Sequence, residues 1–547
     1  RGMGMDKLIR QTWGKLLQMH DEVKDIFRFS ISEQTLNRSE TSVKQSEKKR
    51  TRPDRKRTRR QNTGLILGPI LFFIIYFGFS PEGMRREALA VLASTAWIAT
   101  WWITEAIPIP ATSLLPIILF PLTGAFEKAG EVTSAYGDAN IFLFLGGFVI
   151  AIAMEKWNLH QRIALNIILF VGTSTRRIVL GFMVATGFIS MWISNTATAM
   201  MMLPIALAVI THVTDLMIKQ QKSLEENFAK AILLGIAYSA SIGGLGTLIG
   251  TPPNVIFASM IEELFNTEIS FARWMAFGTP YAAILIILTW FYLVHIAFRV
   301  NTKELPGGRE VILNEKKKLG SMSFEEKLVL TVFTFTAIAW ITRSFILSKW
   351  IPGIDDTVIA ILAAVILFLL PAKNAEDGAL LNWKDAKDVP WGVLLLFGGG
   401  LAIAKGFSET GLSQWIGEQL TVLQGISFFL IIFIVTALVL LLTEITSNTA
   451  TATMMFPIMA SFALALNVHP FSLMVAAGIA ASCAFMMPVA TPPNAIVFGS
   501  GHIKINDMIR AGFWINVVAV IFITVMIYFY MPVVWNIDIH VFPDTFR

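Results

Sequence analysis

One pattern occurs twice in this chain inside long apolar runs: SNTATAMMMLPIA at 194–206 and SNTATATMMFPIM at 447–459, with ten of thirteen positions identical. Two flanking motifs repeat with it in the same order and at nearly the same offset. FLFLGGFVIAIA at 142–153 is echoed by LLLFGGGLAIA at 394–404, and LIGTPPN at 248–254 by PVATPPN at 488–494. Three ordered motifs at near-constant offset mean an internal duplication, which restricts the fold to two copies of one unit.

The solvent of that unit follows from composition. With 54% hydrophobic residues, only 15% charged ones and a mean hydropathy of +0.62 over 547 residues, the chain lies outside the soluble globular range. It reads as an all-α polytopic membrane protein. Apolar stretches long enough to cross a bilayer recur at 64–79, 87–103, 110–124, 140–155, 275–299, 328–347, 356–371, 391–408 and 511–533. Four further runs exceed a single crossing, at 178–210, 229–262, 425–462 and 470–499, and each carries one of the polar motifs. The first and third read as re-entrant hairpins, the second and fourth as broken helices.

Loop charge orients these segments. The run KKRTRPDRKRTRR at 48–60 holds nine basic residues and one acid, so it contributes +8 to a net charge of +6 and the rest of the chain is acidic on balance. Such an arm can bind nucleic acid or anionic lipid; it reads here as a topogenic cytoplasmic tail with no nucleic-acid partner. No signal-peptide pattern is expected in residues 1–60. With 178–210 and 425–462 entering and leaving on one side, the charged loops at 155–177, 217–230, 301–318 and 373–387 all fall inside. The acid-leaning loops FEKAGEVTSAYGDAN and IEELFNTEIS fall outside.

The expected organisation is a basic tail (1–62), a first transmembrane helix (63–80), one repeat (81–300), a cytoplasmic linker (301–324), a second repeat (325–534) and an extracytoplasmic C-terminus (535–547). Each repeat then has an odd number of crossings, so the second is inverted. About eleven spanning helices and two hairpins in a cell membrane result, an architecture of secondary transporters.

Non-helical backbone at membrane depth survives only where protein or a water-filled cavity satisfies it. Ser194-Asn195-Thr196 and Ser447-Asn448-Thr449 are helix-capping types and read as hairpin tips. Thr251 and Thr491 suit N-caps, and Pro252 and Pro492 suit first helical positions. Four helix N-termini thereby offer N–H donors and partial positive charge to an anion. None of the four motifs holds Lys, Arg or His, so a multivalent anion needs added positive charge. Sodium can supply it, held by hydroxyls, amide oxygens and unwound carbonyls. Ser190 and Thr443, four residues before the tips, complete a doubled set of such oxygens. Asn195 and Asn448 stand between both tasks, with the carbonyl toward the cation and the amide toward the anion. Small polar patches also mediate helix packing, but doubling each with a TPPN break argues against packing alone.

Glu444 is an acid inside an apolar hairpin with no counterpart in the first repeat, where Met191 holds that offset. It is a candidate for proton coupling or for a structural or water-facing role. Cys483, the single cysteine, excludes disulfides and thiol-pair metal sites; it reads as a small buried hydrophobe. No His is followed by Glu, so there is no HExxH, and GGLGTLIG is neither a dinucleotide nor a phosphate loop. An enzyme is not expected.

The doubled SNT and TPP motifs across about 64–533 resemble the divalent anion/sodium symporter family, which includes bacterial sodium-dependent dicarboxylate transporters and animal citrate carriers. The resemblance implies sodium-coupled import of succinate, malate and fumarate, no cofactor beyond the coupling ion, and a homodimer in which a transport domain slides against a scaffold. A sodium-independent exchanger and a citrate or sulfate carrier share the same fold. The resemblance assigns one sodium site to Ser190, Ser194, Asn195 and Gly250, and another to Thr443, Ser447, Asn448 and Ala490. It assigns substrate contacts to Asn195, Thr196, Thr251, Pro252, Asn448, Thr449, Thr491 and Pro492.

Overall fold

The computed structural model describes residues 57–546 apart from 173, 220–225, 301–306, 376 and 421–424. The basic tail therefore lies outside the described residues except for its last few positions. The first helix, Arg59–Gly78, begins inside the stretch read as tail, because Thr58 and Gln61 form a reciprocal cap. Such a capping box satisfies two end donors and fixes where a helix starts.

Among the described residues the chain is all-helical, with a single isolated β-bridge between Pro371 and Ala379. Eight helices are long and apolar enough to cross a membrane, and five shorter apolar helices accompany them. Both halves follow one order of elements. A long helix and a shorter one come first (Arg86–Thr104 with Leu115–Thr123; Phe324–Thr342 with Asp356–Leu369), followed by a glycine-rich helix (Ala139–Lys156; Trp391–Glu409). A short amphipathic helix leads to the hairpin: Thr175–Ser190 and Asn195–Lys219 in one half, Phe428–Thr443 and Asn448–Leu466 in the other. The broken helix comes next, Glu226–Gly244 with Pro252–Phe265 matching Pro470–Ser482 with Pro492–Gly499. Phe271–Phe291 and Ile505–Val525 close the halves, and each runs into a short π-helical turn.

The amphipathic helix Leu159–Val171, matched in the second half by Leu412–Leu420, corrects the reading of 155–177 as a loop. Leu159, His160, Ala164, Leu165 and Ile168 are buried along one face, while Gln161, Arg162 and Asn166 interrupt the apolar run and hide the segment from an average hydropathy scale.

Packing interleaves the halves. The returning arm Asn195–Lys219 lies against Pro492–Gly499, and the returning arm Asn448–Leu466 lies against Pro252–Phe265. Phe257 meets Phe456 at 6.0 Å between ring centroids, and Tyr238 meets Phe485 edge-on at 5.2 Å. Lys230 Nζ stands 3.1 Å from Asp507 Oδ2 across the same junction. Within the first half, a Cβ on Gly243 would fall 2.2 Å from the Gly187 carbonyl oxygen. Only glycine permits that approach between hairpin and broken helix, as small residues do at close helix contacts in membranes.

Candidate functional site: two hairpin tips and two broken helices

Both tips turn at the residues the sequence singled out. The first arm ends at Ser190 and the return begins at Asn195; the second arm ends at Thr443 and the return begins at Asn448. Ser194, Asn195 and Thr196 are half-buried, as are Ser447, Asn448 and Thr449. Ser194 Oγ accepts from Ala197 N at 3.2 Å. Ser447 occupies the matching N-cap in extended backbone but makes no side-chain cap bond.

The central geometry is the same in both halves. Ser190 Oγ stands 2.6 Å from Asn195 Oδ1 and 2.6 Å from the Ala240 carbonyl oxygen. Thr443 Oγ1 stands 2.8 Å from Asn448 Oδ1 and 2.7 Å from the Ala481 carbonyl oxygen. A hydroxyl carries one proton, so each group gathers three oxygens around a single donor. Such an oxygen-rich, proton-poor cluster matches a hard cation better than it matches itself. Gly250 belongs to the first cluster's surroundings: a Cβ on Gly244 would meet Asn195 Oδ1 at 2.6 Å and the Gly250 carbonyl oxygen at 3.1 Å. Ala490, its counterpart, is buried in the second break.

The breaks are held open by a doubled device. Asn254 Nδ2 donates to the carbonyls of Gly244 (3.0 Å) and Thr247 (2.7 Å). Asn494 Nδ2 donates to those of Ala484 (3.0 Å) and Met487 (3.1 Å), at the same two sequence separations. Each amide replaces partners that a continuous helix would have provided, which is what non-helical backbone at membrane depth requires. Pro252 and Pro492 sit at the start of the resumed helices, as expected. Thr491 Oγ1 accepts from Asn494 N at 3.3 Å, but Thr251 makes no side-chain cap bond, so the expected capping role holds for one threonine and leaves the other hydroxyl free of it.

The tips and breaks fall where the sequence motifs place them, whereas the carbonyls of Ala240 and Ala481 and the amides of Asn254 and Asn494 are added by the structure. The signal for the asparagines was present, since each closes both copies of TPPN. Cys483 is buried, with Sγ 3.9 Å from the Tyr281 hydroxyl. A cavity of about 620 Å³ between Phe265, Gln414, Leu464 and Phe546 lies at the far ends of the arms, away from the polar motifs.

Two interleaved hairpin and broken-helix pairs with polar gaps inside an apolar helical body are the architecture of a membrane transporter. The family description "sodium:sulfate symporter transmembrane region" matches residues 59–537, and the chain belongs to that divalent anion/sodium symporter family. It is 52% identical over 483 residues to a sodium-dependent dicarboxylate transporter of Staphylococcus saprophyticus, covering 88% of this chain and 93% of that one. A protein of the same description from Staphylococcus aureus strain USA300 is 51% identical over 484 residues, with the same coverage. Two solved structures share the fold at low identity. Neisseria gonorrhoeae MtrF has a TM-score of 0.54 at 11% identity, covering 85% of this chain and 98% of its own. The Alcanivorax borkumensis YdaH transporter has a TM-score of 0.54 at 12% identity, covering 81% and 99%.

Proposed function

We propose that this protein is a sodium-coupled secondary transporter that imports C4-dicarboxylates such as succinate, malate and fumarate. The observation that carries the reading is the pair of matched oxygen clusters, each with three oxygens around one hydroxyl proton. One sodium is held by Ser190, Ser194, Asn195 and the Gly250 carbonyl. The other is held by Thr443, Ser447, Asn448 and the Ala490 carbonyl. Asn195 and Asn448 turn their amides, and Thr196, Thr449, Thr251 and Thr491 their hydroxyls, to the two substrate carboxylates, with Pro252 and Pro492 shaping the floor. The dianion enters a site without basic side chains because the sodium ions and four helix N-termini offset its charge. High identity to sodium-dependent dicarboxylate transporters supports this substrate over the sulfate of the family's title.

In this reading eleven helices span the membrane, the repeats are inverted, the N-terminus is cytoplasmic and the C-terminus outside. The hairpins and the helices that follow them move as one body against a scaffold formed by the helices before 160 and between 325 and 410, within a homodimer. The test is thermal unfolding of the purified protein in detergent. Succinate should raise the midpoint in sodium and leave it unmoved in potassium or choline; equal stabilisation in all three would favour a sodium-independent exchanger.

A further inference from the structure

Glu444 lies in the second hairpin's turn, 4% exposed, and its carboxylate is fully engaged. Oε1 accepts from Phe485 N (2.9 Å), Met486 N (3.0 Å) and Asn516 Nδ2 (2.6 Å). Oε2 accepts from Met487 N (3.1 Å) and, at 3.3 Å, from Met486 N. Three consecutive amides of the unwound segment thus converge on one side chain of the hairpin tip, and Asn516 ties both to the closing helix.

The contacts lead on to the proposed second sodium site. Met487, whose amide Glu444 holds, accepts through its carbonyl from Ala490 N (3.2 Å) and Asn494 Nδ2 (3.1 Å). Glu444 also follows Thr443 directly in sequence, so one residue fixes the hydroxyl side and the carbonyl side of the same site. The first half solves the problem differently. Leu245 N and Gly246 N donate in tight turns just past the helix end to the Ile242 (3.1 Å) and Gly243 (2.9 Å) carbonyls, and Met191 packs where a Cβ on Gly246 would fall.

We infer that Glu444 is a positioning residue for sodium at the second site only: by gathering the amides of 485–487 it sets the Ala490 carbonyl against Thr443 and Asn448. This rests on the sodium-site reading above. Residues that hold metal ligands from behind commonly change affinity by about 10–100-fold when removed.

The experiment is the sodium dependence of succinate uptake by the full chain in proteoliposomes. Glu444→Gln, which replaces an acceptor-only group with one that confronts the amides with a donor, should raise the sodium concentration for half-maximal uptake about tenfold. The succinate KM at saturating sodium should stay within about twofold, since the substrate contacts are untouched. A folded Glu444→Gln protein with the wild-type sodium curve overturns the inference. Should that variant fail to fold, Asn516→Leu removes one carboxylate contact and should shift the sodium curve the same way by about threefold, roughly one hydrogen bond's worth; an unshifted curve there overturns it equally. Thr443→Ala separates the two levels. If it shifts the sodium curve and Glu444→Gln does not, the positioning role is wrong; if Thr443→Ala shifts nothing, the second sodium site itself is wrong.

Discussion

The first break, at 245–251, is lined by glycine, whereas the second, at 483–491, carries alanine and methionine at the matching places and leans on a buried acid. In the first, a Cβ on Gly250 would fall 2.4 Å from the Gly244 carbonyl oxygen, so the backbone itself closes around Asn195. In the second, Ala484 and Ala490 stand at the corresponding positions. The amides of 485–487 lie beyond the helix that ends at Ser482, and a buried amide without a partner costs about 1–3 kcal/mol. Glu444 supplies the acceptor. The closing helices support both breaks: Trp274 Nε1 donates to the Leu245 carbonyl at 2.9 Å in one half, and Asn516 reaches Glu444 in the other. The same oxygen cluster thus stands beside a break closed by glycine in one half and beside a break held by a buried acid in the other.

The largest expected effect breaks this contrast directly. Gly244→Ala places a methyl 2.6 Å from Asn195 Oδ1; uptake should fall below about 1% of wild type, a loss of ~2.7 kcal/mol of stabilisation. Ala484→Gly in the second break should retain uptake within about threefold, because removing that methyl leaves the Glu444 clamp in place. Equal sensitivity of the two would show that glycine does not distinguish the breaks.

A middle-sized effect tests what the breaks share. Asn254→Ala and Asn494→Ala each strand two carbonyls, so each should cost about 1–3 kcal/mol of stability, seen as a lower unfolding midpoint in detergent. The two costs should be similar, since each amide holds two carbonyls at the same sequence separations. The smallest effect distinguishes the threonines. Thr491→Ala removes a cap and should cost about 1 kcal/mol in the same unfolding assay, while Thr251→Ala, whose side chain makes no cap bond, should leave the midpoint in place and raise the succinate KM.

Much of this was legible in the sequence because the duplication is almost literal. Matched polar hexapeptides and matched TPPN motifs located both tips and both breaks to within a residue or two, since Asn, Thr and Pro carry strong rules about where a helix starts. The amphipathic helix at 159–171 escaped because its apolar face occupies only part of a mixed run. The carbonyls of Ala240 and Ala481 escaped for a deeper reason: a backbone oxygen has no signature in the residue that bears it. Glu444 was visible as an oddity, but its partners are amides of Phe485, Met486 and Met487, 41 to 43 residues away, which no local pattern could indicate.

The most direct measurement is the flux of labelled succinate into proteoliposomes under an inward sodium gradient, compared with an equal choline gradient, for wild type and Asn195→Ala. Wild type should accumulate succinate only with sodium, and Asn195→Ala should not accumulate it in either. Uptake that is as fast in choline as in sodium, or that survives the loss of the Asn195 side chain, would contradict the claim that the two tips bind cation and dianion together.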